Sequence, residues 1–373
     1  MESPAFSSAT LASRRAEVPA SLPINPAPLT PPPPVAAAPA APAAEPKAGT
    51  SAPGISSVVN NLIRNFGIVL IYVILFAALS IFVPDFLSLR NLTGLLLSVT
   101  LIGTIAATMM LVLALGEVDL SIASTVAFSG VIAALVTSAS GSVVLGVLGG
   151  IAAGALVGVF NGVVIAKLGI NSLITTLATM EIVRGLAYIT SRGDAVVITN
   201  EKFFLLGSTV FLGLSLPVWT MFVMFAIFGV VLNRTIFGKS VLAIGGNMQA
   251  ARLAGLAVDR VKILVFGLQG VAAGLAGVLL TSRMSLGDPK TSVGLELAVI
   301  SACVLGGVSL VGGVATVSGV VVGVLIMGSV QNALGLLNVP TFYQYLVRGG
   351  ILLLAVLFDR WRISLAAKRV SRS

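Results

Sequence analysis

Residues 143–166 read VVLGVLGGIAAGALVGVFNGVVIA and contain no charged residue. Their number exceeds the roughly 20 apolar residues that a helix needs to cross a bilayer, so the sequence predicts a membrane-spanning helix here. Five glycines recur at every fourth position and share one helix face: Gly146, Gly150, Gly154, Gly158 and Gly162. Such a face lets a second helix backbone approach closely. We expect it to pack within the chain rather than against a second copy.

Apolar runs of similar length lie on both sides of this stretch. They predict an all-α polytopic membrane protein with about ten transmembrane helices. The predicted spans are 66–83, 92–115, 120–137, 143–166, 171–190, 214–232, 261–281, 295–310, 313–335 and 343–358. The run 295–335 is interrupted by Gly306-Gly307 and Gly312-Gly313, which predicts either two helices or one helix and a broken or re-entrant segment.

The composition excludes several kinds of chemistry. Of 373 residues, 57% are hydrophobic and 9% are charged, against about 25% charged in an ordinary soluble domain. The chain has no histidine, which excludes Ser-His-Asp catalysis and His-ligated metal sites. Its single cysteine, Cys303, is expected to be a small buried apolar side chain. We therefore predict no catalytic residue and no metal site.

The termini and the charges predict the topology. Residues 1–57 hold 13 of the 17 prolines and predict a disordered Pro/Ala-rich cytoplasmic tail. Residues 58–362 are the predicted transmembrane domain, and residues 363–373 are a basic cytoplasmic tail. With the N-terminus inside and ten crossings, 15 Lys and Arg residues lie in the cytoplasm and 5 outside. This positive-inside bias predicts that both termini lie in the cytoplasm. It also explains the net charge of +9 by membrane topology rather than by nucleic-acid binding.

Eight polar residues in or near the spans are candidates for the translocation path. They are Glu117, Asp119, Asn161, Glu181, Arg184, Glu296, Asn332 and Arg348. Glu181 and Arg184 are three residues apart on one helix, so they either line a polar pathway or form a structural ion pair. Glu117 and Asp119 lie between two spans and are either buried and functional or an ordinary solvated helix cap. Glu296 and Arg348 could face each other across two helices.

A faint internal repeat links two parts of the chain. Leu115-Gly116-Glu117-Val118-Asp119-Leu120 resembles Leu305-Gly306-Gly307-Val308-Ser309-Leu310, and Asn161 and Asn332 fall at comparable places. Duplicated halves are common in transporters.

The longest inside loop, residues 233–260, contains a predicted short helix. It runs from Gln249 to Gly255, with Asn247 as its cap and Gly255 at its end. Gly238-Lys239-Ser240 in the same loop resembles the end of a phosphate-binding loop, but Asn233 stands where that pattern requires glycine. The sequence therefore predicts no nucleotide site and assigns any ATPase to another chain.

Two motifs carry a family resemblance. Gln249-Ala250-Ala251-Arg252-Leu253-Ala254-Gly255 resembles the E-A-A-x-x-x-G pattern of ABC importer permeases, with Gln249 in place of Glu. Gly116-Glu117-Val118-Asp119-Leu120-Ser121 resembles the G-G-[IV]-D-L-S motif of the monosaccharide branch, with Glu117 in place of Gly. The similarity extends over residues 58–362.

The resemblance implies a permease subunit, not an enzyme, that moves a monosaccharide across the bacterial inner membrane by alternating access. In such permeases the E-A-A-like segment docks onto a cytoplasmic ATPase, which holds ATP and Mg, while the permease itself binds no cofactor. The segment comprises Asn247, Gln249, Ala250, Ala251, Arg252 and Gly255. The other implied partners are a periplasmic sugar-binding protein, a second permease copy and membrane lipid. The expected sugar is a pentose, L-arabinose, with ribose, xylose and galactose as alternatives.

Two other classes of function compete with this interpretation. A stand-alone carrier driven by protons or sodium could use Glu117, Asp119 and Glu181 as ion sites. Such a carrier has no need of an E-A-A-like helix. An intramembrane enzyme is disfavoured, because the chain has no histidine and no evident pair of catalytic residues.

Overall fold

The computed structural model describes the backbone of residues 55–370 and the side chains of residues 67–357. Most of the predicted N-terminal tail lies outside the described residues, and the side chains of the predicted C-terminal tail lie outside them as well. The described chain is almost entirely helical. Its helices are α1 (Ile55–Phe82), α2 (Leu89–Ala114), α3 (Ile122–Ser140), α4 (Val143–Lys167), α5 (Ser172–Ser191), α6 (Glu201–Ser208), α7 (Leu216–Arg234), α8 (Ile236–Gly246), α9 (Met248–Leu253), α10 (Val258–Met284), α11 (Leu295–Leu305), α12 (Val317–Leu336) and α13 (Thr341–Val370).

The strands in the described residues are two residues long. They are β1 (Val196–Val197), β2 (Val210–Phe211), β3 (Leu214–Ser215) and β4 (Leu286–Gly287). Two antiparallel pairs form, β1 with β4 and β2 with β3. Strands β1, β2 and β3 and helix α6 lie in the connection between α5 and α7. Strand β4 follows α10.

The ten predicted spans correspond to α1–α5, α7 and α10–α13, which confirms an all-α polytopic membrane protein. Seven helices among the described residues are long and apolar enough to cross a membrane: α2, α3, α4, α5, α7, α10 and α12. Helix α11 has only 11 residues, which is about half the length needed to cross the hydrocarbon core. It ends at a glycine-rich connection in which Gly307, Gly312 and Gly313 all have positive φ. The predicted interruption of 295–335 is therefore confirmed as a short helix, a non-helical connection and a full-length helix.

Helix α2 forms the centre of the bundle. Its residues from Ile105 to Ala114 are almost completely buried, and it contacts α7, α10, α11 and α12. A helix that is apolar and buried on all sides is typical of the interior of a large bundle. Cys303 on α11 is fully buried, with its Sγ 3.8 Å from the Ala106 carbonyl oxygen, so it is a small packed side chain as predicted.

The glycine face of α4 packs against α10. A Cβ at Gly154 would collide with the carbonyl oxygen of Gly270, and a Cβ at Gly158 would collide with that of Phe266. Only glycine allows two helix backbones to approach this closely. The expectation that this face packs within the chain is confirmed.

The predicted loop 233–260 is mostly helical, because it contains α8 as well as the short helix α9. Helix α8 was not predicted. It begins at the Thr235 cap, whose hydroxyl accepts a hydrogen bond of 3.1 Å from the Gly238 N–H. We call the end of the bundle that carries α8, α9 and the connection between α2 and α3 the coupling end.

Candidate functional site: the coupling end of the bundle

Helix α9 is short, and both of its ends are capped. The Asn247 side-chain oxygen accepts a hydrogen bond of 2.9 Å from the Ala250 N–H. At the other end Gly255 has φ +84°, the Gly255 N–H bonds the Arg252 carbonyl at 3.0 Å, and the Leu256 N–H bonds the Ala251 carbonyl at 3.0 Å. This pair of bonds around a left-handed glycine is the Schellman motif. The predicted roles of Asn247 and Gly255 in starting and ending the helix are confirmed.

The side chains of α9 divide into a buried and an exposed set. Ala251 is buried against the bundle, while Gln249, Ala250 and Arg252 are exposed. Leu253 is 91% exposed. Sequence analysis did not single out Leu253; an apolar residue within a charged inside loop is the signal that could have identified it.

Two exposed ion pairs connect α9 to the bundle through one carboxylate. Asp259, in the first turn of α10, lies 3.4 Å from an Arg252 guanidinium nitrogen and 3.3 Å from the Lys167 Nζ at the end of α4. Exposed ion pairs contribute at most about 1 kcal/mol each to stability. Their main effect here is to keep α9 next to the ends of α4 and α10.

The α2–α3 connection, residues 115–121, lies at the same end of the bundle, next to α8 and α10. The Glu117 carboxylate forms an ion pair with the Lys262 Nζ on α10, and both side chains are almost buried. The Val118 N–H donates to the Ser172 hydroxyl at 3.2 Å. The Thr176 hydroxyl donates to the Ser172 carbonyl at 2.8 Å and lies 3.4 Å from the Val118 carbonyl. Because Ser172 and Thr176 lie in the first turns of α5, the connection is fixed to α5 as well as to α10.

Asp119 is the most deeply buried carboxylate of this region. Its side chain is 2% exposed and accepts hydrogen bonds from the Ser121 N–H at 2.9 Å and the Ser121 hydroxyl at 2.7 Å. Burial raises the pKa of Asp119 from 3.8 to about 6, because a charged carboxylate loses hydration there. The alternative of a solvated helix cap for Glu117 and Asp119 is therefore wrong.

Four glycines allow the backbone of a second connection to approach the end of α2. The Gly313 N–H donates to the Ala114 carbonyl at 2.8 Å. A Cβ at Gly312 would lie 2.8 Å from both the Gly116 nitrogen and the Gly245 carbonyl oxygen. The connection between α11 and α12 thus meets both the α2–α3 connection and α8.

The structure does not support the faint repeat in its predicted register. Gly116 and Gly307, not Gly116 and Gly306, both have positive φ after a helix end, and Glu117 and Val308 each donate to the carbonyl five residues before. The same geometry ends α9 at Gly255 and Leu256, so it is a common helix end and not a sign of duplicated halves. Asn161 and Asn332 are not comparable, because Asn161 bonds Ser121 at the coupling end whereas Asn332 exchanges hydrogen bonds of 2.8 and 3.0 Å with Asn91 at the start of α2.

Of the two alternatives for Glu181 and Arg184, a polar pathway or a structural ion pair, the ion pair does not form among the described side chains. The side chains described for residues 67–357 make three ion pairs, and this is not among them. Arg184 instead donates to the backbone carbonyls of Pro289 at 2.6 Å and Thr291 at 2.9 Å, which fixes the segment before α11. Glu181 is exposed on α5. Arg184 thus bonds two carbonyls of a distant segment and not the nearby Glu181 carboxylate. The spacing of residues along one helix could not predict this.

Glu296 and Arg348 are likewise not an ion pair among the described side chains. The Arg348 guanidinium carbon lies 5.6 Å from the ring centroid of Tyr345, within cation–π range. The described residues provide no hydrogen-bond partner for the buried Glu296 Oε2 or Arg348 Nε. These two residues and Arg184 surround the segment that leads into α11. Within the described residues, no group of three His, Cys, Asp or Glu side chains could hold a metal ion.

A helical bundle with seven helices able to cross a membrane is a multi-pass membrane protein. The family described as "Branched-chain amino acid transport system / permease component" matches residues 91–356. The chain belongs to this family of transport permeases. The resemblance to ABC importer permeases is thereby confirmed.

Its similarity to individual permeases is high. The chain is 68% identical to the L-arabinose ABC transporter permease protein AraH of Azospirillum brasilense, over 81% of this chain and 89% of that protein. It is 51% identical to the L-arabinose transport system permease protein AraH of Escherichia coli strain K12, over 84% and 96%. It is 41% identical to the ribose import permease protein RbsC of Bacillus subtilis, over 77% and 90%. No solved structure matches the chain.

Proposed function

We propose that this chain is the permease subunit of an ATP-driven importer and that its sugar is L-arabinose. The two AraH relatives, at 68% and 51% identity, are named for L-arabinose, whereas the RbsC relative, named for ribose, is 41% identical. Ribose, xylose and galactose are the alternative sugars, because permeases for them share most of the motifs.

Helix α9 is the observation that carries this function. It is capped at both ends, held to the bundle through Arg252 and Asp259, and displays Gln249, Ala250 and Leu253 to the outside. A helix that presents apolar side chains three positions apart, here Ala250 and Leu253, can lie in a groove of another protein. We infer that α9 docks onto a cytoplasmic ABC ATPase, and that Asn247, Gln249, Ala250, Ala251, Arg252 and Gly255 form or shape this contact.

ATP and Mg would be bound by that ATPase, and we infer no ATPase site in this chain. The candidate segment Gly238-Lys239-Ser240 lies in the first turn of α8, not in a loop between a strand and a helix. A Cβ at Gly238 would collide with the carbonyl oxygens of Val231 and Leu232. Gly238 is therefore explained by the tight turn between α7 and α8 rather than by a phosphate.

The proposed orientation has the coupling end and both termini in the cytoplasm of a bacterium and the permease in its inner membrane. The excess of Lys and Arg on that side supports it. A periplasmic sugar-binding protein would then deliver sugar to the opposite end, where the segment before α11 is held by Arg184.

A second copy of the permease is the proposed partner within the membrane. Glu181 is exposed on α5, a helix that is apolar enough to span the bilayer. A carboxylate facing lipid is costly, and such residues usually face a bundle interior or an aqueous path. We infer that α5 faces a polar path shared with the second copy, and that lipid covers the other outer helices.

The alternative is a stand-alone ion-coupled carrier, and the buried carboxylate of Asp119 is the feature that favours it. To test the two, the permease is reconstituted with an ABC ATPase and a sugar-binding protein from the same organism, and ATP hydrolysis is measured with L-arabinose, ribose, xylose or galactose. We expect L-arabinose to stimulate hydrolysis most. Replacing Leu253 by Ser should release the ATPase from the purified complex, while Leu253→Met should retain it.

Stimulation by another sugar would change the assigned substrate. An ATPase that neither copurifies with the wild-type permease nor responds to any sugar would contradict the importer function.

A further inference from the structure

The ion pair between Glu117 and Lys262 differs from the other two ion pairs of the described side chains. Those two share Asp259 and lie at the surface, with 58% and 59% of the Lys167 and Arg252 side chains exposed. The Lys262 and Glu117 side chains are only 9% and 12% exposed. The pair also joins residues 145 positions apart. It therefore connects two elements that the chain itself does not hold together.

Stability alone gives a poor reason for this pair. Removing two charges from water is costly, and well-packed apolar residues of similar volume are often as stabilising as a buried ion pair. A buried pair can instead specify one relative position of two elements. The question is which elements Glu117 and Lys262 position.

Lys262 belongs to the part of α10 that is in direct contact with α9. It lies one turn after Asp259, which binds Arg252 of α9. Its neighbour Ile263 is packed so closely that a Cβ at Gly162 on α4 would lie 2.7 Å from the Ile263 Cα. The backbone of Lys262 therefore has little freedom to move independently of α9 and α4.

Glu117 belongs to the α2–α3 connection, which is bonded to two further helices. The Val118 N–H bonds the Ser172 hydroxyl at the start of α5, and the Val118 carbonyl lies 3.4 Å from the Thr176 hydroxyl. Asp119 accepts from the Ser121 hydroxyl, which accepts from Asn161 on α4. A displacement of Glu117 would therefore be passed to α5, the helix on which Glu181 is exposed.

We propose that Glu117 and Lys262 are positioning residues that transmit movement of the docked helix α9 through the first turns of α10 to the α2–α3 connection and α5. This inference rests on the proposed function of an ATP-driven importer. The pair touches neither the ATPase nor the sugar in this assignment. Its role is to make the membrane helices follow the state of the ATPase.

The test removes the ionic connection without leaving a buried charge unpaired. The complete transporter, with its ATPase and binding protein, is reconstituted in vesicles, and L-arabinose imported per ATP hydrolysed is measured. The variant Glu117→Gln combined with Lys262→Met is neutral and keeps similar volumes, so it should fold and retain the ATPase. We expect its import per ATP to fall about five-fold or more, the usual lower range for coupling between sites. The control Lys239→Gln, which removes an exposed charge of α8 at the same end and no ion pair of the described side chains, should leave the ratio unchanged.

A second variant reverses both charges, Glu117→Lys with Lys262→Glu. It rebuilds an ion pair, so its import per ATP should return towards the wild-type ratio. The inference is overturned if the neutral variant imports as many sugars per ATP as the wild type, or if it does not accumulate in the membrane, since the pair would then serve folding alone. It is also overturned if the reversed pair folds and remains as poorly coupled as the neutral variant. Failure of the proposed function would look different, because the wild-type complex itself would then show no ATP-dependent import.

Discussion

Asn161 on α4 donates a hydrogen bond of 2.9 Å to the Ser121 hydroxyl, and this hydroxyl donates one of 2.7 Å to Asp119. The arrangement fixes the direction of the Ser121 proton, because Asn161 occupies its acceptor side. Asp119 therefore accepts hydrogen bonds from both the N–H and the hydroxyl of Ser121. It is nevertheless buried, so its ionisation affects the stability of the fold.

Replacing Asp119 by Asn should remove a pH dependence of stability. The pKa of Asp119 is raised from 3.8 to about 6 by burial, so the folded state binds the proton more tightly than the unfolded state. The contribution of Asp119 to stability should therefore be greatest below pH 4, fall as pH rises to about 6, and be lower by on the order of 3 kcal/mol at neutral pH. Asn keeps an oxygen acceptor for Ser121 and carries no charge. Thermal unfolding in detergent should show a smaller decrease between pH 3 and pH 7.5, which lie on either side of the interval from 3.8 to about 6, for Asp119→Asn than for the wild type.

The matched control for Asp119 is Asp194→Asn, which changes an exposed carboxyl group. It should leave the pH dependence of unfolding as in the wild type. An identical pH dependence in Asp119→Asn and in the wild type would contradict a raised pKa at Asp119.

Replacing Gly255 by Glu should uncouple the ATPase without unfolding the permease. A Cβ at Gly255 would meet no atom of the described chain, so the internal cost is the left-handed backbone, about 1–2 kcal/mol. The new side chain would project next to the exposed Leu253 at the end of α9. We expect membrane levels near those of the wild type, loss of ATPase from the purified complex and loss of sugar-stimulated ATP hydrolysis. Gly213→Glu, at a glycine with φ +79° and equally open surroundings, introduces the same strain away from α9 and should keep the ATPase.

Replacing Gly158 by Ala should destabilise the bundle. The added Cβ would collide with the Phe266 carbonyl oxygen and lie 2.9 Å from the Gly270 backbone, which forces α4 and α10 apart. Overpacking of this kind costs about 1–3 kcal/mol. Gly185→Ala is the control, because Gly185 lies in α5 with no atom near the added Cβ; it should be neutral or stabilising by up to about 1 kcal/mol. Equal melting temperatures for Gly158→Ala and the wild type would mean that α4 and α10 do not pack this closely.

Replacing Glu181 and Arg184 should have independent effects. Arg184→Gln removes two charge-assisted hydrogen bonds to Pro289 and Thr291, each contributing about 1.5–3 kcal/mol. Glu181→Gln removes a carboxylate that is not in an ion pair among the described side chains. A double-mutant cycle of unfolding free energies should give a coupling below about 0.5 kcal/mol. A larger coupling would show that the two side chains interact after all.

Local sequence features predicted much of the fold. The spans were found because uncharged runs near 20 residues leave few alternatives to a membrane helix. The sequence predicts both ends of α9, because the capping hydrogen bonds at Asn247 and Gly255 join residues within one or two turns of each other. The glycine face of α4 was found because its spacing of four residues is a property of one helix.

Contacts between distant segments could not be predicted in the same way. The partner of Glu117 is Lys262, and the partners of Arg184 are carbonyls more than a hundred residues away. These choices depend on how the helices pack, which no local pattern encodes. Helix α8 is not predicted, because its 11 residues are too short for a span and fall within the inside loop 233–260. The sequence does not decide whether Asp119 is buried or exposed, because a position between two spans is compatible with both.

The most direct test of the central claim is the energy source of transport. Vesicles containing the permease, its ATPase and its binding protein are given radiolabelled L-arabinose, with ATP on the ATPase side and no proton or sodium gradient, or with a gradient and no ATP. We expect ATP alone to drive uptake, and a gradient alone to drive none. Uptake driven by the gradient in vesicles without ATP, and unchanged when the ATPase is left out, would contradict the account and identify the chain as a stand-alone carrier.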